Sequence, residues 1–429
     1  MSSTTTDGAA TGCCEEFARG AGLSRRGFLR GVAVVGGAAA VTAVHGTAFT
    51  STAYAAAPVD RVLVLLSMRG ACDGLSLVVP HADPAYYTAR PSIAVPSTRL
   101  LAKDGFFGLH PALAPLLPWW DAGSMAAVHA AGLPAPNRSH FSAMEDLEDA
   151  DPGSSARVGW LNRLIGRNGV GSPIEAIQFG GGVPMTALAG PQPALVTEDV
   201  DSVSLSGYWD APSEAKRRAA LSTMWGGVPG PLAAGARNAF EVVDDFGPVR
   251  DSSATAANGA VYPTNSDLAA ALASAARTIR ADVGAEVIAV DHGSWDHHTW
   301  IGTPDNGNLR RMADEFALSL AAFLTDLGPL ASKVTIVTVS EFGRRVKENA
   351  NQGLDHGYGN VMFLLGAGVK GKQYYGSWPG LAATDDADLL VTTDYRSVLS
   401  EVVTKRLGAS SAEVFPGFSP APVGAVLAT

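Results

Sequence analysis

The sequence predicts an α/β protein with a doubly wound, mainly parallel β-sheet and helices on both faces. Three apolar runs rich in β-branched residues predict strands that are buried on both sides: residues 61–67, 286–290 and 334–339. Between the last two runs, residues 309–327 carry apolar side chains at helical spacing. Alternation of strand, helix and strand is typical of parallel sheets, because the helix returns the chain to the same end of the sheet.

Further elements extend this sheet. Apolar runs at residues 125–130 and 361–365 predict two more strands. Apolar side chains recur at helical spacing in residues 268–283 and 395–407, which predicts two helices. A further single helix is predicted for residues 110–120.

A single α/β domain is predicted over residues 58–425. Within it, residues 152–265 show little periodicity and several glycines and prolines, which predicts a loop-rich insertion or cap over the sheet. The 429 residues are 47% hydrophobic, enough for a large core, and their net charge of −10 argues against nucleic acid as a partner. After residue 55, no apolar stretch is long enough to predict a transmembrane segment.

Residues 1–57 have the pattern of an export signal. Residues 24–30 read Ser-Arg-Arg-Gly-Phe-Leu-Arg, and an uncharged run rich in small residues follows to about Val44. Ala53-Tyr54-Ala55 offers a small-residue cleavage site. The pattern resembles a twin-arginine signal, which implies the twin-arginine export machinery as a partner and a periplasmic or extracellular protein cleaved near Ala55. The alternative is a membrane anchor, for which the run is short.

The densest chemistry lies in residues 291–298, directly after the strand predicted at 286–290. Asp296 and His298 are spaced to place two ligands on one side of a loop. Asp291 is expected to shape the strand end, and His292 and His297 are expected to take no part in the site.

Other polar residues follow the remaining predicted strands. Because the carboxyl ends of parallel strands share one edge of a sheet, we expect a metal site there. The expected ligands are Asp73, Asp296, His298, Glu341 and His356. Carboxylate and imidazole ligands favour a divalent ion, with zinc the best match. The alternative for Asp73 is an ordinary turn aspartate. Ser139, at the predicted start of a helix, is suited to binding an anion, and its alternative is a helix cap.

Five motifs resemble, in order, the signatures of an exported family known as domain of unknown function 1501. They lie at residues 69–75, 137–141, 293–298, 340–344 and 355–360, within a resemblance that covers about residues 60–407. That family is similar to the alkaline phosphatase and sulfatase superfamily. The resemblance implies an alkaline-phosphatase-like fold with metal at the carboxyl edge of the sheet.

The resemblance also implies roles for individual residues. Asp73 matches a metal aspartate, Asp296 and His298 match the ligands of one metal, and His356 matches a late histidine ligand. Ser139 stands at the position of the nucleophile. Glu341 stands where the superfamily has an aspartate followed by a histidine, but Phe342 replaces that histidine. The number of metal ions therefore remains open: one ion, two ions with water completing the ligand set, or none.

Three functions follow as hypotheses. The first is a metal-dependent hydrolase of small anionic phosphate or sulfate esters, in which Arg138 and Arg344 bind substrate oxygens. The second is a non-catalytic exported scaffold or binding protein that retains the fold, with or without one structural metal. An isomerase or phosphotransferase is the third, but it needs a second phosphate pocket, for which the sequence shows no motif.

Overall fold

The computed structural model describes residues 43–45, 59–167, 171–181, 183–205 and 210–428. The predicted export signal, residues 1–57, lies outside the described residues apart from residues 43–45. Of the described residues, 205 and 210–218 belong to one compact unit and the others to a second. Within these ranges, no helix is both long and apolar enough to cross a bilayer.

Ten strands of the described chain form one sheet. They are β1 (Ala43–His45), β2 (Val62–Met68), β5 (Met125–Gly132), β6 (Ala176–Phe179), β7 (Ala194–Thr197), β8 (Val287–His292), β9 (Val334–Val339), β10 (Asn360–Gly366), β11 (Tyr374–Tyr375) and β12 (Thr393–Asp394). Their order is β1-β7-β6-β8-β2-β9-β10-β5-β11, and β12 also pairs with β5. Two further strands, β3 (Val78–Val79) and β4 (Gly108–Leu109), form a small sheet of their own.

The large sheet is mostly parallel, as predicted. Strands β7, β6, β8, β2 and β9 run parallel, and β10 runs antiparallel to both of its neighbours. Ser67 near the end of β2 is level with Asp291 on one side and Val339 on the other. The loops that follow β2, β8 and β9 therefore leave the sheet at the same edge, which is where ligands usually bind in such folds.

The helices are distributed along the whole described chain. They are α1 (Gly74–Leu77), α2 (Pro84–Ala89), α3 (Leu117–Asp121), α4 (His140–Asp149), α5 (Trp160–Leu164), α6 (Ala211–Gly226), α7 (Pro231–Asp245), α8 (Gly247–Asp251), α9 (Asp267–Ala281), α10 (Asn308–Leu327), α11 (Tyr395–Lys405) and α12 (Ser411–Val414). Short 3₁₀ segments cover Ser97–Arg99, Pro111–Leu116, Thr186–Leu188 and Gly328–Lys333.

The prediction of one continuous helix over residues 110–120 is wrong. The chain makes a 3₁₀ segment over Pro111–Leu116 and only then a short α-helix over Leu117–Asp121. Prolines 111, 115 and 118 lack the backbone N–H that a regular α-helix uses, so the tighter and shorter turns replace it.

Both faces of the sheet are covered. Every residue of β2, β5 and β9 is buried, although alternate residues of a strand point to opposite faces. One face packs against a core cluster that includes Trp160 of α5 and Leu399 of α11. Helices α9 and α10 pack on each other, α9 contacts β6 and β8, and neither contributes to that cluster. This pair therefore belongs to the opposite face.

Residues 152–265 are more than an insertion. They contain β6 and β7, which extend the parallel sheet beyond β8. The short length of these two strands, four residues each, explains why the sequence shows no clear periodicity there.

Two stretches of the loop between β9 and β10 are in close backbone contact. The Gly343 N–H donates to the Tyr358 carbonyl at 2.7 Å, and the Gly357 N–H donates to the Gly343 carbonyl at 2.8 Å. A Cβ atom on Gly343 would lie 1.9 Å from the Gly359 carbonyl oxygen. Only glycine allows this approach, because the opposing atom belongs to the backbone and cannot rotate away.

We predict that Gly343→Ala destabilises the protein by at least about 1–3 kcal/mol, the usual effect of forcing extra volume into a packed site. Urea unfolding followed by circular dichroism measures the change. Gly105→Ala is the matched control, since a Cβ atom there meets nothing within 4 Å. Equal unfolding midpoints for the two variants would contradict the proposed contact.

Candidate metal centre

Four side chains converge at the carboxyl edge of the sheet. Asp296 and His298 lie on the loop after β8, His356 lies on the loop before β10, and His140 is the first residue of α4. One ligand atom from each of His140, Asp296 and His356 lies within 4.8 Å of the other two. His298 joins this group, with its Nε2 atom 3.1 Å from Asp296 Oδ1.

The three imidazole rings turn the same nitrogen toward one another. His356 Nε2 lies 3.0 Å from His140 Nε2 and 2.9 Å from His298 Nε2. Asp296 Oδ1 lies 3.5 Å from the Nε2 atoms of both His140 and His356. Three nitrogens therefore face one carboxylate oxygen, which is a donor set that suits zinc.

The other nitrogen of each ring, Nδ1, is within hydrogen-bond distance of an oxygen. The oxygens are Glu341 Oε1 for His140 at 2.7 Å, the Arg138 carbonyl for His356 at 2.8 Å, and Asp355 Oδ1 for His298 at 3.2 Å. A proton on Nδ1 leaves the lone pair on Nε2, which is the tautomer that ligates a metal. The protein thus orients three lone pairs toward one point.

Two lone pairs at this distance repel, so the arrangement needs either a proton or a metal cation between the nitrogens. Burial lowers the pKa of His140, but hydrogen bonds to Asp296 and Glu341 outweigh burial and raise the pKa to about 9. Burial raises the pKa of Asp296, but hydrogen bonds from His140, His356 and Arg344 hold that pKa well below its usual range. The cluster therefore attracts either a proton or a metal cation to the imidazole nitrogens.

The Arg344 guanidinium holds the Asp296 carboxylate in place. It donates to Asp296 Oδ1 at 2.5 Å and to the carbonyls of Gly70 and Ala71 at 2.5 and 2.6 Å. Gly70 has a φ of +103°, and a Cβ atom there would lie 2.7 Å from the Asp296 backbone nitrogen. The loop after β2 therefore packs directly against the residue that carries the central carboxylate.

The centre is open to solvent. The exposed fraction of the side chain ranges from 25% for His356 to 41% for His298, with Asp296 at 32%. Structural zinc sites are closed by four protein ligands, whereas catalytic sites keep an open position. The side chains of this centre are therefore accessible to water.

Asp73, a predicted metal ligand, is not part of the cluster. Its two carboxylate oxygens accept hydrogen bonds from Arg90 at 2.5 and 2.9 Å, and both side chains are buried. Arg90 also donates to the carbonyls of Arg345 and Val346. Asp73 thus serves an internal ion pair that ties α1 and α2 to the loop after β9.

Glu341 is placed beside the metal cluster rather than in it. The same Oε1 atom that contacts His140 accepts a hydrogen bond from the Gly70 N–H at 2.8 Å. Phe342 lies with its ring 4.9 Å from that of His140 and 5.0 Å from that of His356. Glu341 and Phe342 therefore hold the orientation of the imidazoles, and the predicted ligand role of Glu341 is replaced by a supporting one.

The residues predicted to handle substrate lie around the centre. Ser139 is exposed and directly precedes His140, and its side chain makes no capping hydrogen bond to α4. Arg138 forms an ion pair with Asp388. Arg344 is 2% exposed and is committed to Asp296 and to backbone carbonyls, so the structure does not present it to a substrate.

The motifs that build this centre also identify the family of the chain. Residues 118–401 match the family described as protein of unknown function (DUF1501). The chain belongs to the DUF1501 family. A comparison with curated proteins gives no match.

Sequence reasoning missed one residue of this centre, His140. The signal was present, because His140 directly follows Ser139 at the start of a helix after a strand. The expected non-participants, His292 and His297, are buried and make no contact with the cluster among the hydrogen bonds and ion pairs of the described residues. The spacing Asp-x-His over 296–298 was therefore the informative part of that stretch.

We predict that the centre binds zinc and that Glu341→Gln lowers this affinity about 10–100-fold, the usual effect of removing a carboxylate that orients a histidine ligand. Isothermal titration calorimetry of metal-free protein measures it. Glu145→Gln on α4 is the control, because Glu145 pairs only with Arg157 at the surface. Unchanged affinity in Glu341→Gln would show that the contact with His140 has no orienting role.

A second prediction tests whether Asp73 contributes to stability or to metal binding. Asp73→Asn should lower the free energy of unfolding by about 3–5 kcal/mol, because it leaves the buried Arg90 charge without its partner. Zinc stoichiometry should stay as in the wild type. Chemical unfolding and calorimetry measure the two quantities, with Asp305→Asn in an exposed pair as the control. Loss of zinc with retained stability would restore Asp73 as a ligand.

Proposed function

We propose that this protein binds one divalent metal ion, with zinc the best match, through His140, Asp296 and His356, with His298 beside them. The observation that supports this most directly is the common orientation of the three imidazoles, each with Nδ1 on an oxygen and Nε2 toward the centre. Zinc–nitrogen bonds of about 2.0–2.1 Å put two ligands of a tetrahedral ion about 3.3 Å apart. The nitrogen separations of 2.9 and 3.0 Å are close to that value.

One ion is favoured over two by the pairing of the other carboxylates at this edge. Asp73 pairs with Arg90, and Asp291 and Glu148 both pair with Arg69. Each of these arginines supplies the positive charge that a second metal would bring. Among the described residues, the His140–Asp296–His356 group differs from these pairs, because its ligand atoms cluster and its two imidazoles have no arginine partner.

We further propose that the protein is an exported hydrolase of small phosphate or sulfate esters, related to the alkaline phosphatase and sulfatase superfamily. A metal at this centre would activate a hydroxyl or water and neutralise charge on the ester oxygens. The chain's own contribution is an exposed Ser139 hydroxyl beside His140 and the N-terminal amides of α4, which favour an anion. The twin-arginine pattern at residues 24–30 supports export.

The alternative is a non-catalytic exported protein with one metal. It is favoured by the internal use of Arg344 and by the ion pair of Arg138 with Asp388, since these were the arginines predicted to bind substrate oxygens. The open centre favours the hydrolase, because a purely structural metal has no need of solvent access.

Metal binding and ester hydrolysis together test the proposal. We expect the purified, chelator-treated protein to bind one zinc ion per chain by calorimetry. Asp296→Ala and His140→Ala should each weaken binding by more than about 100-fold, the upper range for residues that only orient a ligand. His81→Ala, which changes a surface histidine, is the control.

Ester-cleavage assays on the same proteins then distinguish the two functions. The hydrolase requires zinc-dependent cleavage of 4-nitrophenyl phosphate or 4-nitrophenyl sulfate that Asp296→Ala abolishes. Ser139→Ala tests the nucleophile, and full activity in that variant would assign attack to water instead. One zinc per chain without cleavage of either ester supports the non-catalytic protein, and no zinc binding contradicts both functions.

A further inference from the structure

Two aromatic side chains of the described residues are exposed, and both lie next to the metal cluster. Phe141 and Trp300 are each 57% exposed, whereas every other phenylalanine, tyrosine and tryptophan in the described ranges is at least partly buried. Phe141 directly follows His140, and Trp300 lies two residues after His298. Because two residues of chain span at most about 7 Å, both Cα atoms are close to those of the cluster histidines.

Trp300 also has an unfavourable backbone conformation. Its φ is +43°, in the left-handed region that bulky side chains rarely adopt. Hydrogen bonds fix this conformation: the Trp300 N–H donates to the Asn351 carbonyl at 3.0 Å, and the Ile301 N–H donates to the Gln352 carbonyl at 2.8 Å. Such strain concentrates at ligand sites, where the surrounding structure holds a residue in place for a purpose other than packing.

The loop that fixes Trp300 is the one that carries His356. It approaches the His298 loop so closely that a Cβ atom on Gly353 would lie 2.1 Å from the His298 carbonyl group. The Leu354 N–H donates to the His297 carbonyl, and the Asn349 side chain donates to the His298 carbonyl, both at 3.0 Å. The backbone position of Trp300 is therefore coupled to the loops that carry His298 and His356.

We propose that Trp300 is a stacking platform for a ring in the substrate: the flat face of an aryl or sugar group whose acidic group binds at the metal centre. The inference rests on the proposed function and names its substrate class. An indole left in water beside a metal centre gains stabilisation when a ring covers it, and stacking adds specificity to the contact. Esters with small alkyl groups do not reach this platform and lose that stabilisation.

Equilibrium binding to zinc-loaded protein tests the platform without relying on turnover. The probes are phenylphosphonate, the phosphonate analogue of glucose 6-phosphate, and methylphosphonate, each titrated by calorimetry. We expect at least one ring-bearing probe to bind about tenfold more tightly than methylphosphonate. The two ring probes distinguish an aryl from a sugar substrate.

Variants assign the difference to Trp300. Trp300→Ala should remove the preference for ring probes and leave both zinc affinity and methylphosphonate affinity unchanged, while Trp300→Phe should retain most of the preference. Leu318→Ala, at another exposed apolar residue, is the control. Equal binding of all three probes, or an unchanged preference in Trp300→Ala, overturns the platform while the metal centre stands. A protein that binds no zinc overturns the proposed function, and the platform with it.

Stability separates a ligand-binding role from a structural one. Trp300→Gly should keep or raise the thermal unfolding midpoint, because glycine adopts a positive φ without steric strain. A marked fall in that midpoint would show that the indole is needed for packing and would contradict the platform.

Discussion

The buried guanidinium of Arg344 joins the parts of the site. It donates to carbonyls on the loop after β2, to Asp296 on the loop after β8, and to the Leu354 carbonyl on the loop before β10. Arg344 itself lies on this same loop between β9 and β10, so one planar group connects three loops at the edge of the sheet. The rigid fork of an arginine suits this task, because its donors point in fixed directions. The position of the central carboxylate therefore depends on one side chain.

Charge compensation then decides which acidic residues remain free to act. Asp73 pairs with Arg90, and Asp291 and Glu148 pair with Arg69, so these carboxylates are balanced inside the protein. Asp296 also pairs with an arginine, yet the Nε2 atoms of three imidazoles lie around the same oxygen. The cluster therefore has more metal-binding atoms than the single guanidinium of Arg344 can satisfy. This distinguishes it from an ordinary ion pair and is the physical basis of the proposed function.

Much of the fold was predictable because its signals are local. The apolar runs of β2, β8 and β9 and the amphipathic periods of α9 and α10 reflect burial on both faces of a sheet and on one face of a helix. The short strands β6 and β7 and the proline-rich turns before α3 escaped prediction. A four-residue strand carries too few residues to show a period, and proline changes the helix type without changing the apolar spacing.

The sequence alone determined the fold class and the DUF1501 motifs, and it predicted that Asp296, His298 and His356 lie close together, because each of these depends on residue pattern and on level strand ends. Only the tertiary structure decided that Asp73 binds Arg90, that Glu341 orients His140, and that His140 stands in the cluster. The reason is that a carboxylate behind a strand has the same sequence signature whether its partner is a metal, an arginine or a histidine. That partner comes from a distant segment, and its identity is set by packing.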